Sequence, residues 1–223
     1  MNKREFKNTV YTELAKVAKA FANPVRLEII DLLAQGPFTV EQIANYSGQS
    51  VANASQHLQT LKSAKLVRIE RDGNFINYSL AGQNVFNAWA GLRELGFAYN
   101  AEVEKVIKDF RSGHSSDMDA VDAETLKELL KNGKIVLLDV RPEEEYNRGH
   151  IHKAISAPIA NLESYLKKIP KKKMVVAYCR GPFCVYADEA VALLKDKGYK
   201  AKRMDEGYPE WMLKGYPIAQ AKG

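Results

Sequence analysis

The chain has 223 residues, 46% hydrophobic and 27% charged, which suits a soluble globular protein with two domains of about 100 residues each. Its net charge of +6 permits nucleic-acid binding without establishing it, and two cysteines are too few for a disulfide framework. The charged start MNKREFKNTVY has no secretory core, and no apolar run approaches the roughly 18 residues of a membrane span, so a cytoplasmic protein with no membrane partner is expected.

Phe6, Val10, Leu14, Val17 and Phe21 recur at helical spacing and predict an amphipathic first helix. Asn23-Pro24 is a start signal, Asn as N-cap and Pro at the first helical position, for a second helix that ends at Gly36. The stretch 39–42, TVEQ, is a capping-box pattern opening a short third helix through Tyr46. After the tight turn 47–49, Ser50 caps a fourth helix, VANASQHLQTLKSA. A short helix, a Gly-containing turn and a second helix form the helix-turn-helix arrangement. The segments LVRIE and FINYSL, joined at Arg71-Asp72-Gly73-Asn74, predict a β-hairpin, the wing.

Residues 42–69 hold three basic side chains, Lys62, Lys65 and Arg68, and no acidic one. The fourth helix carries Ser50, Asn53, Ser55, Gln56 and Gln59. Asn and Gln bond adenine bidentately in the major groove, while Lys and Arg neutralise phosphate, so Lys62, Arg68 and Arg71 join the candidate DNA contacts. The stretches FANPVRLEIIDLL, SVANASQHLQTLKSAKLV and RDGNFINYSL resemble the ArsR-type winged-helix repressors. The resemblance implies a DNA-binding and dimerisation domain over 1–110, acting on double-stranded operator DNA as a homodimer. Its first and last helices would form the interface, and each protomer would read one half-site. Val85, Trp89, Leu92, Val103, Val106 and Phe110 would supply the last helix's apolar face, with intramolecular core as the alternative. Members of that family often sense metals through thiolate or imidazole ligands. Here TVEQIA has no cysteine and 83–110 no histidine, so no metal site is expected and sensing should lie in the second half.

The polar stretch RSGHSSDMD begins an expected linker, 111–120. Beyond it, over 121–223, apolar runs alternate with helical stretches in α/β fashion: a helix over 124–132, strand IVLLDV, helix EEEYNRG, strand MVVAY, a helix over 187–198 and a strand over 200–204. The lysine cluster KKIPKKK at 167–173 reads as a solvated turn. His150 and His152 lack a convergent acid, and His150 reads as a structural hydrogen-bonder.

Both cysteines, Cys179 and Cys184, fall in the loop after MVVAY. Inward loop amides and the following helix dipole would favour a thiolate at Cys179, and Arg180 would add a full positive charge; Gly181 and Pro182 shape the backbone. Position 185 is Val, not the Arg that a phosphatase loop needs six positions after its cysteine, and four intervening residues exclude a thioredoxin-like centre. LLDVRPEEEYNRGHI, YCRGPFCVYADEA and EGYPEWMLKGYPI resemble the three motifs of a single-domain rhodanese. That likeness implies a sulfurtransferase chemistry. Cys179 would take a sulfane sulfur as a persulfide and pass it to a thiophilic acceptor, the amides of 180–184, Phe183 among them, would stabilise it, and Asp139 and Arg141 would brace the loop. Lys153 stands where the family has a small glycine, which reads as a surface change. Cys184 could attack the persulfide and leave a disulfide, pack at the start of the next helix, or serve as a second persulfidation site.

The expected architecture is therefore a mainly-α winged helix-turn-helix followed by an α/β rhodanese-like open parallel sheet, without a cofactor. Three functions fit: a regulator that senses or carries reactive sulfur at Cys179, a working thiosulfate or polysulfide sulfurtransferase with an autoregulatory DNA-binding half, and a silent anion- or arsenate-binding sensor.

Overall fold

The computed structural model describes residues 1–73, 75–112 and 120–220, so Asn74 of the expected wing turn and most of the expected linker lie outside the described residues. The chain forms two compact units, Met1–Tyr99 and Asn100–Gly223.

In the first unit, helix α1 (Lys3–Phe21) is closed at its start by a capping box between Asn2 and Glu5. Helix α2 (Pro24–Leu33) starts as the Asn-Pro signal predicts, the Asn23 side chain accepting from the Arg26 amide. Strand β1 (Phe38–Thr39) precedes α3 (Val40–Tyr46), which Thr39 and Gln42 cap reciprocally, and Ser50 caps α4 (Val51–Ser63). The wing pairs β2 (Val67–Asp72) with β3 (Phe75–Leu80) in antiparallel register from Val67↔Leu80 to Asp72↔Phe75, so pairing runs two residues further than LVRIE. Strand β1 adds to its edge, a pairing too short to leave a sequence pattern. Ile29, Ile30, Ile43, Leu58 and Leu61 form the core under α5 (Gln83–Tyr99), whose Val85 and Trp89 are buried in it. Trp89 Nε1 donates to Asp31 at 2.8 Å. Of the residues expected at a dimer interface, these two are therefore intramolecular core, whereas Leu92 is exposed.

The last helical region is two helices. Asn100 interrupts it, its side chain accepting from the Glu102 amide at 3.2 Å as an N-cap does, and α6 (Ala101–Ser112) follows. This helix, expected in the DNA-binding domain, falls in the second unit.

There, β4 (Ala120–Val121), α7 (Ala123–Lys131), β5 (Ile135–Asp139), α8 (Glu143–Arg148), β6 (His150–Ile151) and β7 (Ile155–Ser156) lead through α9 (Leu162–Tyr165) to β8 (Met174–Tyr178). Helix α10 (Tyr186–Asp196), β9 (Ala201–Met204), α11 (Tyr208–Leu213) and β10 (Ile218–Ala219) complete the chain. The five-stranded sheet has order β4-β9-β8-β5-β7 with every pairing parallel, and β6 and β10 form a separate antiparallel pair. Strand residues alternate between faces. Val175, Ala177 and Cys179 join the core under α10, while Val176 and Tyr178 join the core with Trp211 on the other face. Among the described residues, no helix is long and apolar enough to cross a membrane.

Candidate functional site

Strand β8 is central in the sheet and delivers Cys179 at its C-terminal end, where open α/β sheets place their chemistry. Cys179 is 2% exposed and forms a disulfide with Cys184, their Cα atoms 6.4 Å apart. The five-residue spacing thus closes into a ring over Arg180-Gly181-Pro182-Phe183. The Cys184 amide donates to the Gly181 carbonyl at 3.1 Å, so in this form one of the loop amides expected to face a persulfide holds the turn instead. Phe183 is exposed and Pro182 half-buried.

Arg180 pairs with a buried carboxylate. Its Nε lies 3.1 and 3.2 Å from the two carboxylate oxygens of fully buried Glu145 on α8. In this disulfide form its charge is paired with Glu145 and anchors the loop. Glu145, one of three consecutive glutamates, gives no sign of this role in the sequence.

Asp139 and Arg141 are both 0% exposed and form a bidentate pair, Arg141 Nη2 to Asp139 Oδ2 at 2.6 Å and Nε to Oδ1 at 3.0 Å. Arg141 Nη2 also donates to the Gly149 carbonyl at 2.8 Å. Tyr178 donates its hydroxyl to Asp139 and accepts from the Ile151 amide at 3.0 Å. Burial works against the guanidinium charge, but Asp139, Tyr178 and Glu145 outweigh it and hold the Arg141 pKa above the usual value. Burial and then the Asp139 charge push the Tyr178 phenol well above its usual range, which keeps it a donor. The Asp139 side of the network lies with Tyr178 on the face opposite Cys179. Arg141 reaches the loop indirectly: its guanidinium sits 4.5 Å over the Tyr208 ring, and the Tyr208 amide donates to the Cys179 carbonyl at 3.3 Å.

The C-terminal motif presses on the same loop. A Cβ on Gly207 would collide with the Arg180 carbonyl and the Gly181 amide, while the Gly207 amide donates to Glu210 Oε2 at 2.9 Å. Gly207→Ala should therefore displace the loop and destabilise the second unit by about 1–3 kcal/mol, read as a lower urea midpoint. An unchanged midpoint would mean that the two segments part freely. Lys153 has φ of +69°, the left-handed region where glycine is favoured, so its replacement of the family's glycine is a backbone matter rather than a surface change. Lys153→Gly should raise the unfolding free energy by about 1 kcal/mol in the same measurement, and a loss instead would show that unfolded-chain entropy outweighs the strain. His150 donates Nδ1–H to the Tyr146 carbonyl at 2.8 Å, the structural bond expected of it.

In the first unit, Ala54, Leu58 and Leu61 bury one face of α4, and Gln56, Gln59 and Lys62 stand exposed away from it. Arg71 is exposed on the wing. Four other candidates are engaged or turned. Ser50 Oγ accepts from the Asn53 amide at 3.2 Å, Asn53 Nδ2 donates to Gln49, and Ser55 is half-buried. Arg68 donates to Ser79 Oγ at 2.9 Å and pairs with Glu70 at 3.0 Å, cross-strand and same-strand contacts that the hairpin register creates.

Two family models match: bacterial regulatory protein, arsR family, over residues 23–68, and rhodanese-like domain, over residues 122–214. The HTH-type transcriptional regulator Rv0324 of Mycobacterium tuberculosis is 40% identical over 212 residues, covering 95% of this chain and 92% of its own. The chain belongs to the ArsR-family transcriptional regulators. Within that family it carries a C-terminal rhodanese-like domain, and the whole architecture is shared with the mycobacterial relative. The second half is similar to a sulfurtransferase of Allochromatium vinosum, 32% identical over 105 residues, 46% of this chain and 96% of that one. A solution structure of a homodimeric winged helix-turn-helix domain from Mycobacterium bovis, a possible ArsR-family regulator, matches 45% of this chain and 91% of its own at 38% identity and a TM-score of 0.42. In this regulator the residues missed from sequence, Glu145, Tyr178, Gly207 and Glu210, support the cysteine loop and its bracing network; all four fall inside the rhodanese-like motifs, Glu145 in the first, Tyr178 in the second and Gly207 and Glu210 in the third, but no local pattern shows their contacts.

Proposed function

We propose that this regulator reads reactive sulfur through Cys179 and answers by changing its hold on operator DNA. The Cys179 thiolate attacks the sulfane sulfur of a polysulfide, organic persulfide or thiosulfate. A thiolate or sulfite leaves, and Cys179 carries the added sulfur as a persulfide. The Cys184 thiolate then attacks Cys179 Sγ, hydrosulfide leaves, and a Cys179–Cys184 disulfide remains. The observation that carries this reading is that disulfide, closed within one loop at a strand end. In the cytoplasm disulfides are usually transient, and either catalytic or redox-sensing.

On the DNA side, exposed Phe6, Val10 and Leu14 of α1 and Leu92 and Leu95 of α5 are apolar surface that a homodimer would cover. Sedimentation velocity reading a monomer at micromolar concentration would remove that element. In a dimer, α4 of each protomer enters one major-groove half-site, Gln56 and Gln59 meeting bases and Lys62 and Arg71 phosphates.

Intact-protein mass spectrometry of the reduced protein after polysulfide tests the chemistry. Gain of one sulfur, followed by loss of two hydrogens relative to the reduced chain, is expected. No mass change with polysulfide or thiosulfate would end the reading. The likeness to the Allochromatium vinosum sulfurtransferase favours a second reading, a working sulfurtransferase whose DNA-binding half autoregulates it. Steady thiosulfate:cyanide turnover would select it, and single-event persulfidation without turnover would select the sensor.

A further inference from the structure

Within the second unit, a cavity of about 260 Å³ lies between α6 and the cysteine loop, lined by Val106, Ile107, Phe110, Phe183, Cys184 and Val185. Its polar wall is occupied internally: Arg111 Nη2 donates to the Pro182 carbonyl at 2.7 Å, and its Nε lies 3.8 Å from Asp188, which Arg203 also holds at 3.2 Å. What remains for a guest is hydrocarbon and one sulfur. That sulfur belongs to Cys184, which is half-buried and lines the space, whereas Cys179 is buried behind it. A cavity of about 150 Å³ lined by Leu, Ile and Phe holds a benzene molecule, so this one has room for an aryl or short branched alkyl group.

We propose that the cavity binds the hydrocarbon group of an organic thiol and presents its sulfur to Cys184, reopening the loop. The incoming thiolate forms a bond to Cys184 Sγ, its proton having gone to solvent. The Cys179–Cys184 bond breaks, and its electron pair leaves on Cys179 as a thiolate. A second thiol then displaces Cys184 from the mixed disulfide, so two thiols are oxidised to one organic disulfide and the protein disulfide takes up both electrons. The outcome is directional: Cys179 is freed first, ready for a new sulfane sulfur, and apolar thiols reset the loop in preference to hydrophilic ones.

The proposal rests on the disulfide form in the reading above and not on sulfane transfer, so the two fail separately. The test uses the oxidised full-length chain, reduced by benzyl mercaptan or by 2-mercaptoethanol. Each rate is divided by that thiol's rate with a small model disulfide, which cancels its intrinsic nucleophilicity. Burial of the aryl group predicts a normalised preference of about tenfold or more for benzyl mercaptan. Ile107→Trp, and independently the more exposed Val106→Trp, should fill the cavity and abolish the preference, the normalised benzyl mercaptan rate falling to the normalised 2-mercaptoethanol rate of the same variant. Peptide mapping after alkylation should find the first adduct on Cys184. Equal normalised rates, an adduct on Cys179, or a preference untouched in both tryptophan variants overturns the proposal. A preference that persists in a protein failing to gain sulfur from polysulfide would sink the sulfur-sensing reading alone.

Discussion

Replacing Arg141 with alanine will lower the unfolding free energy of the second unit by about 3–5 kcal/mol, because it strands a fully buried carboxylate at the end of β5. Asp139 and Arg141 are both fully buried, and the arginine bonds both Asp139 oxygens as well as the Gly149 carbonyl. Tyr178 and the backbone amide of position 141 cannot take over, since each supplies one hydrogen bond that is already made. Urea denaturation followed by far-UV circular dichroism measures the loss. The double variant Asp139→Leu with Arg141→Met should recover most of it, because removing both charges removes the uncompensated one. A loss below about 1 kcal/mol would mean that water reaches the carboxylate and that the pair is not the brace its geometry indicates. Because the pair sits on the face opposite Cys179, molecules that remain folded should still accept sulfur.

In Cys179→Ser, the DNA affinity will no longer respond to polysulfide, although binding itself persists because the substitution lies outside the winged-helix unit. Coupling between two sites of one regulator is typically about 5–150-fold in affinity, and that is the size of response expected in the unsubstituted protein and lost in the variant. Fluorescence anisotropy with an operator duplex, with and without polysulfide, reads it. Cys184→Ser separates the steps: sulfur is gained at Cys179, but no disulfide follows. If Cys184→Ser still responds fully, the persulfide is the signal; if it does not, the ring closure is. A full response in Cys179→Ser would place sensing outside the cysteine loop.

Much of this protein is legible along the chain. Asn23-Pro24, Thr39 with Gln42, and Ser50 announce three helix starts because capping is a contact between residues two or three positions apart. The wing and the strand before Cys179 are equally local, set by alternation of apolar residues. The shortest strands, β1, β4, β6, β7 and β10, have two residues each and no periodicity to read, so only their partners define them.

The sequence by itself determined the two families, the order of their elements, and the placing of both cysteines in one loop at a strand end. Tertiary structure decided what surrounds those cysteines. Arg180 bonds a glutamate 35 positions away, and Arg111 bonds the loop carbonyl 71 positions away, so neither the loop's anchor nor the helix over its cavity has a local signature. Helix α6 shows the same limit: its apolar stripe is plain in the sequence, but a stripe states only that a face will be covered. Which surface it faces, here the cysteine loop, depends on where the sheet delivers that loop, a long-range event that no run of adjacent residues encodes.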